Sequence, residues 1–222
     1  MSTITAPPQT IIYPDSDGKP ISDNTLQFRW ITTIKWGVDA LFRHDPDVFV
    51  AGDLLWYPVE GKHKIRIGPD VLVAFGRPKG ERGSYKQWEE GGIAPQVVFE
   101  VQSPGNRPPE LLRKFRFYQR YGVEEYYLYD PDRGLLDGWL RAGRRLKGIR
   151  KMAGFISPRL QIRFELGEGP DSLVIVGPDG NRFLTYIQLM EQFEAERQRA
   201  EAERQRAEGY LAKLRELGIE PE

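Results

Sequence analysis

Two acidic side chains stand where apolar strands ordinarily exclude them. Asp70 opens the run GPDVLVAFG and Glu100 closes the run VVFEVQSPG. A carboxylate embedded in an apolar strand is costly unless a cation satisfies it. If the two runs are neighbouring strands, both carboxylates meet at one rim of the sheet. Together with the backbone carbonyl beside Glu100 they supply the hard oxygen donors that a divalent cation takes. A cation held there lowers the pKa of a bound water and offsets charge on a scissile phosphate, so the pattern points to metal-assisted phosphodiester hydrolysis. The same residues admit a plainer account, in which Asp70 caps a turn and Glu100 pairs with Lys114 or Arg113.

Composition narrows the alternatives. The 222 residues include no cysteine and only two histidines, His44 and His63. Thiol nucleophiles, disulfides, iron–sulfur clusters and zinc–cysteine sites are excluded, and a multi-histidine site nearly so. Any metal must rest on oxygen ligands, which suits magnesium, manganese or calcium. The glycine-rich stretch GRPKGERG lacks the Gly-Lys-Ser/Thr of a phosphate loop, and no Gly-x-Ser-x-Gly elbow is present. The 32 basic and 32 acidic residues balance, which argues against extensive phosphate contact unless cations gather locally. The N-terminal MSTITAPPQT has no leader pattern and no segment approaches the ~20 apolar residues of a membrane span. A soluble, cytoplasmic protein without membrane contact is the expectation.

The elements that must position the acids follow from patterning. Residues 1–22, rich in Pro, Ser, Asp and Gly, read as an irregular arm. Apolar positions from Leu26 to Phe42 recur at helical spacing after a capping Asp23 or Asn24. Candidate strands are 48–50, 64–67, 71–75, 96–101 and 125–129, with two or three more around 135–141, 160–165 and 173–176. Residues 76–92 read as a long exposed loop joining the two acid-bearing strands, its Arg77, Lys79, Arg82, Lys86, Tyr85 and Trp88 placed to grip a substrate. Pro108 to Tyr121 is a helix, with prolines at its start and Gly122 beyond its end. The order predicts an α/β (α+β) domain over 23–190, a mixed sheet flanked by helices. The stretch RAGRRLKGIRK holds six basic residues in eleven and reads as a solvated hairpin more readily than as a phosphate patch with Trp139 beside it. The tyrosines from 118 to 129 read as packing residues.

The motif PD, then EVQ-SPGNR, then KFRFYQRYGVEEYYLYDP, is similar to that of the Uma-type restriction endonuclease family of the PD-(D/E)XK nuclease-like superfamily, over residues 45 to 190. The resemblance implies a restriction-endonuclease-like core, a Mg²⁺ or Mn²⁺ site, DNA as substrate and a homodimer. Carried over residue by residue, it makes Asp70 and Glu100 the metal carboxylates and Asp53 a third, although Asp53 is equally a turn residue. The superfamily's lysine two positions after the glutamate is replaced by Gln102, which cannot carry a positive charge. Lys114 on the following helix is the implied substitute; otherwise it is a structural partner of Glu100 or of Glu110, four residues before it.

Residues 191–222 form a separate charged element. AERQRAE occurs twice in succession from residue 195, and Phe193, Ala200, Ala207 and Leu214 fall seven apart. A helix of some 30 residues is predicted, with a coiled-coil-like seam interrupted by Glu196 and Glu203, either self-associating or docking a helical partner, or else solvated on all sides. Two readings of function result: a metal-dependent endonuclease, or a nuclease-fold binding or regulatory module acting through this tail, which Gln102 and the neutral charge favour.

Overall fold

The computed structural model describes residues 11–18 and 20–216. They form two units, one reaching to Phe183 and one beginning at Leu184. In the first, a six-stranded mixed sheet has the order β1 (Val48–Gly52), β3 (Val71–Phe75), β5 (Val97–Val101), β6 (Glu125–Asp130), β7 (Leu135–Ala142), β8 (Arg145–Gly148). Every neighbouring pair is antiparallel except β5–β6, which is parallel and joined by helix α2 (Pro108–Tyr121). A parallel pair requires such a crossover.

Strand alternation divides the core. Val71, Val73, Val97, Phe99 and Val101 face α1 (Thr25–Leu41), which contributes Trp30, Ile31, Ile34 and Val38. Leu72, Ala74 and Val98 face the other way, toward Tyr118 and Phe115 of α2. The Asn24 side chain accepts from Gln27 N and caps α1, and Gly122, in the left-handed conformation, ends α2. The α/β class, the mixed sheet and both helices agree with the sequence reading.

Two expectations fail. Residues 64–67 are irregular rather than a strand, meeting β2 (Trp56–Tyr57) through the isolated Trp56–Ile67 bridge and through Arg66 over the Tyr57 ring. Nor is 76–92 an exposed loop. It contains β4 (Tyr85–Lys86), paired parallel to β2, with Tyr85 and Glu90 buried. Its cations are already engaged: Arg77 and Arg82 hold Glu90 at 2.9 and 2.5 Å, Lys79 pairs with Asp39 and Lys86 with Glu89. Burial alone would raise the Glu90 pKa, but the two guanidinium groups outweigh it and hold the carboxyl below its usual value. Truncating Glu90 to alanine leaves two largely buried guanidinium groups without their carboxylate. We expect Glu90→Ala to cost about 3–5 kcal/mol, read as a lower urea midpoint at unchanged slope; an unchanged midpoint would show the network to be ornamental.

Beyond β8, residues 152–162 fold back onto the α1 side of the sheet and lead into a two-stranded pair, β9 (Arg163–Leu166) with β10 (Leu173–Val176). The second unit is α3 (Tyr186–Glu216), a 31-residue helix without a buried residue, on which Tyr186, Leu189, Phe193 and Tyr210 are exposed. Among the described residues no helix is long and apolar enough to cross a membrane.

Candidate active site

Strand register decides which acids meet. Val71 lies opposite Phe99 and Leu72 opposite Val98, so the next step outward sets Asp70 opposite Glu100. On the other edge Gly52 lies opposite Val71, and Asp53 N donates to Asp70 O at 3.2 Å. Three acids therefore stand in one row across β1, β3 and β5. Alternation turns Glu100, like Val98, toward α2.

Glu100 is 3% exposed and Asp70 8%, so their hydrogen bonds determine what they cost. Glu100 Oε2 accepts from Lys114 Nζ at 2.6 Å and Oε1 accepts from the Tyr118 hydroxyl. Asp70 Oδ2 accepts from Val101 N at 2.6 Å. Lys114 and Tyr118 lie four apart, on one face of α2. Burial, and then the charge of Glu100, push the Asp70 carboxyl well above its usual range; Lys114 and the Val101 N–H oppose this only in part. Burial works against the Lys114 charge, yet Glu100 and Asp70 outweigh it and hold the ammonium above its ordinary pKa. Burial and Glu100 likewise keep Tyr118 protonated.

Asp70 and Lys114 line a cleft of about 810 Å³ together with Asp53, Glu110, Arg113, Lys64 and Arg66, and Glu100 lies behind them, in contact with Lys114. The arm supplies another wall through Asp15 and Asp17, continued by Asp23 just before α1. It is pinned by Tyr57 donating to Pro14 O at 2.6 Å, by Tyr13 packed on Tyr57 and Trp88, and by the Ser103 hydroxyl on Asp23. Asp53 is exposed with a left-handed φ of 49°, a conformation aspartate tolerates. Its pKa is raised by partial desolvation and by Asp17, against Lys114. The turn residue is thus also a cleft residue. Gln102 follows β5, its backbone N donating to Tyr129 O at 2.7 Å, and it is not among the cleft-lining residues.

With both acids ionised, the single ammonium in contact with the pair leaves one negative charge in a buried place. A divalent cation would balance it, and an oxygen-only donor set suits Mg²⁺ or Mn²⁺. The Val101 carbonyl already accepts from Gln27 Nε2 at 2.7 Å, which leaves it one lone pair. Buried Tyr126 Oη lacks a hydrogen-bond partner within the described residues and feels the charges of both Glu100 and Asp70. The residues fit a cation, although among the described residues no three His, Asp or Glu side chains form a ready-made cage. Sequence reasoning missed Tyr118, whose spacing from Lys114 was the available signal, and the part played by the arm.

The sequence profile of the Uma2 family, described as "putative restriction endonuclease", matches residues 18–166, about two thirds of the chain. Among solved structures, a "putative nuclease belonging to DUF820" from Anabaena variabilis ATCC 29413 is similar over 61% of this chain and 72% of its own, at 13% identity and a TM-score of 0.46. No curated protein matches the chain.

Proposed function

The chain belongs to the Uma2 family, and from that premise we propose that it is a divalent-metal-dependent endonuclease hydrolysing phosphodiester bonds in DNA. The observation that carries this reading is the buried Asp70–Glu100 pair, with Lys114 on Glu100 and with Asp70 and Lys114 lining an open cleft. Asp70 and Glu100 would hold Mg²⁺ or Mn²⁺, with the Val101 carbonyl and Asp53 as further oxygen donors. Such an ion, when bound, acidifies a coordinated water and offsets charge on the phosphate.

The chain's own groups do the rest. Lys114, kept protonated by its acidic neighbours, is no base at neutral pH; it supplies a fixed positive charge where phosphate oxygens gain negative charge. It thereby takes the part that Gln102 cannot play. Tyr118, kept protonated, donates to Glu100 and fixes the carboxylate's orientation. Lys64, Arg66 and Arg113 lie where flanking phosphates would pass, and the arm's aspartates confine the path. A homodimer would supply two sites for the two strands of a duplex.

Supercoiled plasmid incubated with Mg²⁺, Mn²⁺ or EDTA tests the reading. Nicking should require the metal and disappear in Asp70→Ala, whose folding is checked by circular dichroism. Inertness of the wild-type protein with both metals would instead favour a nuclease-fold binding module.

A further inference from the structure

The outer face of α2 carries a row of cations that runs on beyond the cleft. Arg113, Arg116 and Arg120 are exposed, and spacings of three and four place them in one stripe about 10 Å long. No hydrogen bond or ion pair engages their guanidinium groups among the described residues; Arg120 only rests against the Tyr121 ring, at 5.5 Å. By contrast, Arg29 is paired with Asp171, Arg159 with Glu124 and Arg163 with Glu165. In a chain of zero formal charge, such a stripe is a local concentration rather than a general excess.

Its two ends have continuations. Arg113 lines the cleft, so the stripe begins at the candidate site. At the other end Leu146 N of β8 donates to Gln119 Oε1 at 3.1 Å, bringing the exposed Arg144 and Arg145 of the hairpin beside the last turn of α2. The nearby aromatic rings are not stacking platforms. Trp139 stacks on Tyr126 at 4.9 Å and packs edge-on against Phe115 at 5.5 Å, within the core cluster. The face therefore offers charge without base-stacking surface, as contact with a duplex backbone requires and unlike a single-strand groove.

We propose that the Arg113–Arg116–Arg120 stripe is a sequence-independent track for the phosphate backbone of duplex DNA leading into the cleft. This rests on the nuclease reading for its substrate class, but its test does not depend on cleavage. Binding of a fluorescein-labelled DNA duplex is measured by anisotropy in EDTA across a salt series. The triple variant Arg113→Gln/Arg116→Gln/Arg120→Gln should bind at least tenfold more weakly, with the slope of log Kd against log salt reduced by about 2 to 3. The charge-matched control Arg43→Gln/Lys151→Gln/Arg182→Gln should bind like wild type, and both variants should melt with wild-type cooperativity. Equal affinity and slope for triple and wild type, or an equal loss in the control, overturns the track. Absence of wild-type binding also overturns it; hydrolysis of the small diester bis(p-nitrophenyl) phosphate, which needs no track, then decides separately whether the catalytic reading stands.

Discussion

Lys114→Met is expected to lower metal-dependent cleavage by about 10²- to 10³-fold, the usual loss when one preorganised charge-stabilising donor is removed. Methionine keeps most of the stem's packing and removes only the ammonium, which lies 2.6 Å from Glu100 Oε2. The ammonium stays charged throughout the working pH range because its carboxylate neighbours outweigh its burial, so the loss should not depend on pH. Stability should respond differently with and without metal. In EDTA, Glu100 loses its cation while 3% exposed, a change that costs about 3–5 kcal/mol. With Mn²⁺ present the ion would supply that charge and the deficit should shrink. Adding Gln102→Lys to Lys114→Met tests whether charge or location matters, since strand alternation puts residue 102 on the side of residue 100. Single-turnover cleavage equal to wild type in Lys114→Met would reduce Lys114 to a structural partner.

Asp70→Asn is expected to make the metal-free protein more stable near neutral pH, while abolishing cleavage. The Asp70 carboxyl sits well above its ordinary value of 3.8, chiefly from burial and then from Glu100. A carboxyl raised in the folded state binds more protons folded than unfolded between its two pKa values. Its stabilising contribution is therefore complete below 3.8 and is lost as pH rises through the folded pKa. Asparagine imitates the protonated carboxyl, can still accept from Val101 N, and removes that slope. In EDTA the melting midpoint of the variant should pull ahead of wild type as pH rises, by about 2–4 °C for each kcal/mol relieved in a chain of this size. Mn²⁺ should then raise the wild-type midpoint and leave the variant where it was, because only the ionised pair binds it. Identical pH slopes for the two proteins would mean that Asp70 is not strained in the resting site.

Much of this was legible in residue order because the signals were local. Asn24, Pro108 and Gly122 bound their helices by capping chemistry, and the runs around Asp70 and Glu100 are apolar enough to read as buried strands. The meeting of Asp70 and Glu100 needed only the assumption that those strands are neighbours, whereas Asp53 entered only through the family resemblance, and which carboxylate would be pushed up depended on a register that spacing does not encode. The ordered segment 76–92 escaped because its strand is two residues long and parallel to another of the same length, a pairing that burial of Tyr85 and the Glu90 network sustain. Tyr118 escaped for another reason. An aromatic in a helix reads as core, which it is, and its hydroxyl joins the site only because Glu100 replaces an apolar residue on the facing strand. The arm was read as irregular, but the seat of its described residues along the cleft depends on Tyr57, far from it in sequence.

The bonds among these groups span short stretches of chain. Glu100 reaches Lys114 over 14 residues and Tyr118 over 18, and Val101 reaches Asp70 over 31. Closing a loop twice as long costs only about 0.6 kcal/mol more, so the separation between Asp70 and Glu100 can lengthen or shorten at little entropic expense. The constellation is therefore modular: a contiguous block from Asp70 to Tyr118 holds the acid pair and its hydrogen-bonded partners. The chain after Tyr118 buttresses that block without contributing to those bonds, which leaves β7, β8 and α3 free to diverge toward new partners while the chemistry stays in place.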